Sequence, residues 1–187
     1  MTFERGTATV RVKVWDLLQR ALHWSLVASI ALCWWAGEAR LSLHIAFGWA
    51  ALAIVASRGA WGFVGSRYAR FSGFVAGART VLGYTCDLLR GRERRYLGHN
   101  PLGGWMVVAL LVCVAFVCIT GILYTTDHFW GMAWVEIAHR ASAWTVVALA
   151  ALHLAGVAFT SWRHRENLVA AMLSGCKKAD DAGGGKA

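Results

Sequence analysis

Residues 134–162, WVEIAHRASAWTVVALAALHLAGVAFTSW, decide the fold. At about 1.5 Å of rise per residue, this run crosses a hydrocarbon core of about 30 Å as a single helix. Three more stretches satisfy the same requirement: residues 17–37, 41–63 and 102–124. Lipid offers backbone groups no hydrogen bonds, so each stretch is expected to be helical despite its Val and Ala content. Composition agrees. Apolar residues make up 58% of the 187 and charged residues 16%, against roughly 45–50% and about 25% in soluble domains. Mean hydropathy is +0.49. One core of a domain this size could not hide so much apolar surface, and one proline with so few charges excludes a disordered chain.

The expected architecture is an all-α membrane protein, an up-and-down bundle of four transmembrane helices. It forms one unit over residues 1–175, followed by a flexible tail at 176–187. The first apolar run has no small-residue cleavage site after it, so it is expected to stay in the protein. The charges orient the bundle. Arg5, Arg11, Lys13 and Arg20 precede or open the first helix. Arg58, Arg67, Arg70, Arg79, Arg90, Arg92, Arg94 and Arg95 lie between the second and third helices. Arg163, Arg165, Lys177, Lys178 and Lys186 follow the fourth. Only Arg40 and Arg140 fall in the other two connections, a bias of seventeen to two. By the positive-inside rule both termini face the cytoplasm. Trp15, Trp61, Trp105 and Trp162 then mark the inner interface, and Trp34, Trp35, Trp130 and Trp134 the outer one. This explains the +9 formal charge without nucleic acid, since no basic helix interleaved with stacking aromatics is present. The mixed arginine and apolar segment 67–98 reads as an amphipathic helix on the inner surface. Asn100 and Pro101 read as the cap and first turn of the third helix.

Ionisable side chains within membrane helices point to function. Four of them are histidines: His23 in the first helix, His44 in the second, His139 and His153 in the fourth. Fourteen residues at about 100° each bring His153 to within about 40° of the face of His139, about 21 Å along the axis. In an up-and-down bundle, His23 shares the inner depth with His153, and His44 the outer depth with His139. Two imidazoles facing each other at one level suit a haem held edge-on, and two levels suit two haems. Gly48, Ala143 and Gly156 would leave room, with Trp24, Trp49 and Trp144 as lining. Interhelical hydrogen bonding by these histidines is the plainer alternative. A transition-metal site lacks an Asp, Glu or Cys at either level to complete its sphere. The five cysteines match no zinc, iron–sulfur or c-type haem pattern and read as apolar fillers. His128 reads as a solvated loop residue, His164 as a surface group.

Several stretches together resemble the bacterial cytochrome b561 family, and the related cytochrome b subunits of membrane-bound nickel–iron hydrogenases and formate dehydrogenases. They are residues 15–24 (WDLLQRALHW), 44–48 (HIAFG), 58–71 (RGAWGFVGSRYARF) and 99–103 (HNPLG), with the spacing of His139 and His153. The resemblance implies that His23, His44, His139 and His153 ligate two b-type haems. It also implies electron transfer between a membrane quinone and a redox partner such as a c-type cytochrome. The short outer loops favour a free-standing cytochrome, the membrane anchor of a larger oxidoreductase such as a hydrogenase being the alternative, and a homodimer is compatible with either. A metal or proton transporter is the rival class, although no inverted repeat or broken helix is evident. Arg20, Arg58 and Arg140, with Arg40, Arg67 and Arg70, are candidates for pairing haem propionates. A quinone is expected at the inner face near His99, Asn100 and Trp105, with Arg20 and Tyr96. His99 is expected to exchange protons with the cytoplasm. Tyr124, Asp127, His128 and Glu136 supply the outer alternative.

Overall fold

The computed structural model describes residues 11–179. Four long helices dominate: α1 (Leu17–Ala36), α2 (Leu41–Val64), α5 (Pro101–Tyr124) and α6 (Ala133–Arg163). Two short helices, α3 (Phe71–Phe74) and α4 (Ala78–Leu89), connect α2 to α5, and α7 (Leu168–Ser174) follows α6. Strand β1 (Arg11–Lys13) pairs antiparallel with β2 (Cys176–Lys178), Arg11 opposite Lys178. The expected tail at 176–187 is therefore corrected at its start, where Cys176–Lys178 is tied into this ladder. Residues 180–187 lie outside the described part.

The helix ends follow local chemistry. Asp16 caps α1, accepting from the Gln19 N–H at 2.7 Å, and Asn100 caps α5 by accepting from Gly103 N–H at 2.7 Å, with Pro101 in the first turn. The second Asp16 oxygen accepts from Trp61 Nε1 at 3.2 Å and from the Ser66 hydroxyl. One carboxylate thus ties the start of α1 to the end of α2. Burial alone would raise its pKa, but these hydrogen bonds and the nearby Arg58 charge hold it below the ordinary carboxylate value. Its contribution is present at neutral pH and fades as pH falls through the carboxylate range. Replacing Asp16 by Ala removes the cap and orphans two donors, a loss of about 1–3 kcal/mol. A lowered thermal midpoint of the detergent-solubilised protein checks this; an unchanged midpoint refutes it.

Segment 67–98 is not one amphipathic helix. The chain turns at Arg70–Phe74, restarts at Gly77, and leaves α4 through Gly91 in the left-handed region at φ 66°. Phe74 is buried and Phe71 packs edge-on against Phe63 and Phe74, so the aromatic residues fold back onto the bundle.

Three helices are long and apolar enough to cross a membrane: α2, α5 and α6. Their apolar faces look outward, and only 6% of the most apolar window of α6 is buried. Phe63, Val64, Val112, Leu152 and Leu154 are all more than half exposed, the reverse of a soluble core. Against expectation, α1 does not join these three on composition, because Gln19, Arg20 and His23 dilute its apolar content. The interior contact is made by small side chains, Ala51 and Val55 of α2, Val114 and Cys118 of α5, and Val146 of α6. Helices α1 and α2 pack along each other, as do α5 and α6, and α2 packs on α5. No comparably close backbone packing joins α6 to α1 or α2. The backbone of α6 therefore stands apart from α1 and α2, a gap that side chains bridge, Trp144 against Trp34 and His139 against His44.

Candidate haem-binding gap

The histidines face this gap. His44 near the start of α2 and His139 in α6 have ring centroids 6.0 Å apart, with planes at 75°. Nδ1 of His44 lies 3.0 Å from the Cys33 carbonyl on α1, and Nδ1 of His139 lies 3.0 Å from the Val117 carbonyl on α5. A carbonyl only accepts, so in each ring Nδ1–H donates and Nε2 keeps its lone pair. This is how metal-binding imidazoles are oriented. The spacing suits one metal ion bonded at about 2 Å to a nitrogen of each ring.

At the other level, nearer the chain termini, His23 of α1 lies within electrostatic range of His153 of α6. The His23 ring meets Trp24 edge-on at 4.9 Å. Its Nδ1 is buried without a hydrogen-bond partner, as are Arg20 Nε, Arg58 Nη1 and His99 Nδ1. Leaving such groups unpaired is costly, and a set of buried donors fits an acceptor such as a carboxylate. Arg20 otherwise donates to the Leu173 carbonyl, and Arg58, itself buried, donates to the Ala69 carbonyl at 3.1 Å.

Space is available at glycines near the histidines. A Cβ added at Gly48 or Gly156 would meet nothing within 4 Å. Trp144 lies edge-on to Trp34 at 5.0 Å, while Trp49 is exposed. Among the described residues, no three His, Cys, Asp or Glu side chains gather as a metal cluster. Two imidazoles per level suit an iron whose other ligands come from a planar macrocycle, and the residues present fit haem.

The family model for prokaryotic cytochrome b561 matches residues 14–175. The chain belongs to this family. It is a membrane b-type cytochrome of electron transfer, and haem b is its cofactor. No curated protein and no solved structure matches the chain.

Other expected site residues fall in varied places in this cytochrome. Arg140 is exposed and pairs with Glu136 at 3.3 Å and Glu38 at 3.8 Å. Arg40 stacks over Trp35 at 4.4 Å, and Arg67 lies 5.9 Å from the Tyr68 ring. His128 rests against Phe129, and His164 closes α6. His99 sits between Trp15 and Phe74, at 4.8 and 4.7 Å, on a cleft of about 250 Å³ shared with Tyr96, Thr80 and Ser72. Asn100 spends its side-chain oxygen on the α5 cap, and Trp105 donates its N–H to Ala76 at 2.8 Å. Of these three, His99 alone has an unpartnered buried polar atom. The expectation that His99 exchanges protons with the cytoplasm is corrected. Burial, then the charges of Arg58 and Lys177, push it down to about 3, so it stays neutral at physiological pH.

No residue type points to the two carbonyl acceptors, because any residue supplies one. Gly121, against which the His139 ring rests, looked like one more small residue in an apolar run. Ser72 and Thr80 became visible only once α3 and α4 folded back.

Proposed function

We propose that the chain is a four-span, dihaem cytochrome that carries electrons across the inner membrane between the quinone pool and a redox partner, both termini being cytoplasmic. The observation that carries this is the facing of His44 on His139 across the gap between α6 and its opposite helices, with His23 and His153 close enough at the other level to interact electrostatically. The pairing of β1 with β2 supports α1 as the fourth crossing. Strands from the two ends of the chain can meet only on one side of a bilayer, which requires an even number of spans. Haem, when bound, supplies a one-electron couple at an iron whose axial positions are both filled, favouring electron transfer over oxygen chemistry.

Each residue set has a defined task in this reading. His44 and His139 hold the outer iron, His23 and His153 the inner one. Arg20 and Arg58 offer buried donors to the inner propionates, and Arg140 and Arg40 are the outer cations. A quinone sits in the inner cleft, where neutral His99 offers a hydrogen bond, Tyr96 and Thr80 line the wall, and Asn100 and Trp105 hold the chain in place. The partner, a c-type cytochrome or similar carrier, docks on the outer side.

Purified protein is expected to be red, with two low-spin haems per chain that quinol reduces. His99→Ala slows that reduction at least several-fold with haem content unchanged, while His128→Ala and Asp127→Ala match the parent. A defect confined to the outer pair places the quinone outside. A colourless protein that takes up no added haem removes the whole reading.

A further inference from the structure

His139 is held by α5 through more than one contact. Its Nδ1 lies 3.0 Å from the Val117 carbonyl and 3.4 Å from Thr120 Oγ1. The Thr120 hydroxyl lies 3.0 Å from that same carbonyl and 3.0 Å from the Phe116 carbonyl, so its one proton is shared between Phe116 and the carbonyl that His139 uses. Gly121, four residues after Val117, lies on the same helix face. A Cβ at Gly121 would stand 3.0 Å from Cε1 and 3.3 Å from Nδ1 of His139. Even one methyl group would push the ring by a few tenths of an ångström. None of these α5 groups needs to touch the cofactor.

We infer that α5 sets the orientation and donor strength of His139: Gly121 by leaving room for the ring, the Val117 carbonyl by fixing its proton on Nδ1, and Thr120 by sharing that carbonyl. They are positioning groups, and the inference rests on the reading of His139 as an iron ligand. A firm Nδ1–H···O bond makes Nε2 a stronger donor, which stabilises the oxidised iron and lowers its potential. Weakening the bond does the reverse. Two small substitutions should therefore move one midpoint in opposite directions. Gly121→Ala crowds the ring, lengthens the Nδ1–H···O bond and shifts the midpoint upward. Thr120→Val keeps the side-chain shape, leaves the Val117 carbonyl to His139 alone and shifts it downward.

The experiment is a potentiometric titration with low-temperature paramagnetic resonance on the purified holoprotein. It compares the parent, Gly121→Ala, Thr120→Val, His139→Ala and Gly83→Ala, the last at a position with nothing within 4 Å. The expected result is opposite shifts of the haem that His139→Ala removes, a changed low-spin signal from that haem in Gly121→Ala, and an unmoved second haem. Gly83→Ala matches the parent. Shifts of the same sign, or α5 variants matching the parent while His139→Ala loses one haem, overturn the positioning role and leave the ligand reading standing. Two intact low-spin haems in His139→Ala overturn both. If Gly121→Ala does not accumulate, Thr120→Val decides: a downward shift supports the inference, and no shift or an upward one overturns it.

Discussion

Replacing His139 or His44 by Ala halves the haem content and removes one low-spin signal, the same one in both variants. Replacing His23 or His153 removes the other. The rings of His44 and His139 stand 6.0 Å apart, with their Nδ1 atoms held by carbonyls of α1 and α5 respectively, which leaves Nε2 of each as the free nitrogen. His128 lies in the loop after α5, its ring against Phe129. His128→Ala is expected to keep both haems. Optical spectra with haem stoichiometry on the five variants check this. Any of the four proposed ligands that can be replaced with both haems intact and low-spin is wrongly assigned.

Topology gives the second large effect, close to all-or-none. A reporter active only outside the cytoplasm is silent when fused after Lys178 and active when inserted between Tyr124 and Trp134. Moving the arginines of the α2–α5 connection and of both terminal segments across the bilayer would cost far more than moving Arg40 and Arg140. The β1–β2 ladder adds a constraint that charge counting lacks, because Arg11–Lys13 and Cys176–Lys178 must share a side. The opposite reporter pattern reverses the orientation. Activity at only one of two fusions placed before α1 and after β2 eliminates the fourth crossing.

Much of the fold was legible because a bilayer makes strong demands on local sequence. An apolar run of sufficient length has to be a helix, and this placed α2, α5 and α6 to within a residue or two of residues 41–63, 102–124 and 134–162. The cap at Asn100 was legible for a similar local reason, since an asparagine followed by a proline and a long apolar run suits a helix start. Helix α1 was less secure by composition, because the residues that give it chemistry, Arg20 and His23, are those that make it polar. The amphipathic helix expected in segment 67–98 is confined to α4, Ala78–Leu89, because arginines alternating with apolar residues satisfy a helix as well as a chain that folds back. Gly77, Gly91 and the packing of Phe71 and Phe74 selected the second form. Likewise, CKK at 176–178 has no strand signal of its own and becomes a strand only because β1 lies beside it.

The sequence by itself determined the long helices, the gathering of basic residues in the terminal segments and the α2–α5 connection, and the place of each histidine along its helix, since each depends on length, residue type or helical period. The tertiary structure alone decided what surrounds those histidines. Helix packing leaves α6 separated from α1 and α2, aims His44 at His139, and supplies carbonyls from Cys33 and Val117 to fix their protons. It also buries His99 and Arg58 with donors unpaired and turns Arg140 toward Glu136 and Glu38. The physical reason is that depth along a helix follows from counting residues, whereas a hydrogen bond between helices depends on their rotation and approach. Backbone acceptors carry no residue signature, so no reading of side-chain types could have found them.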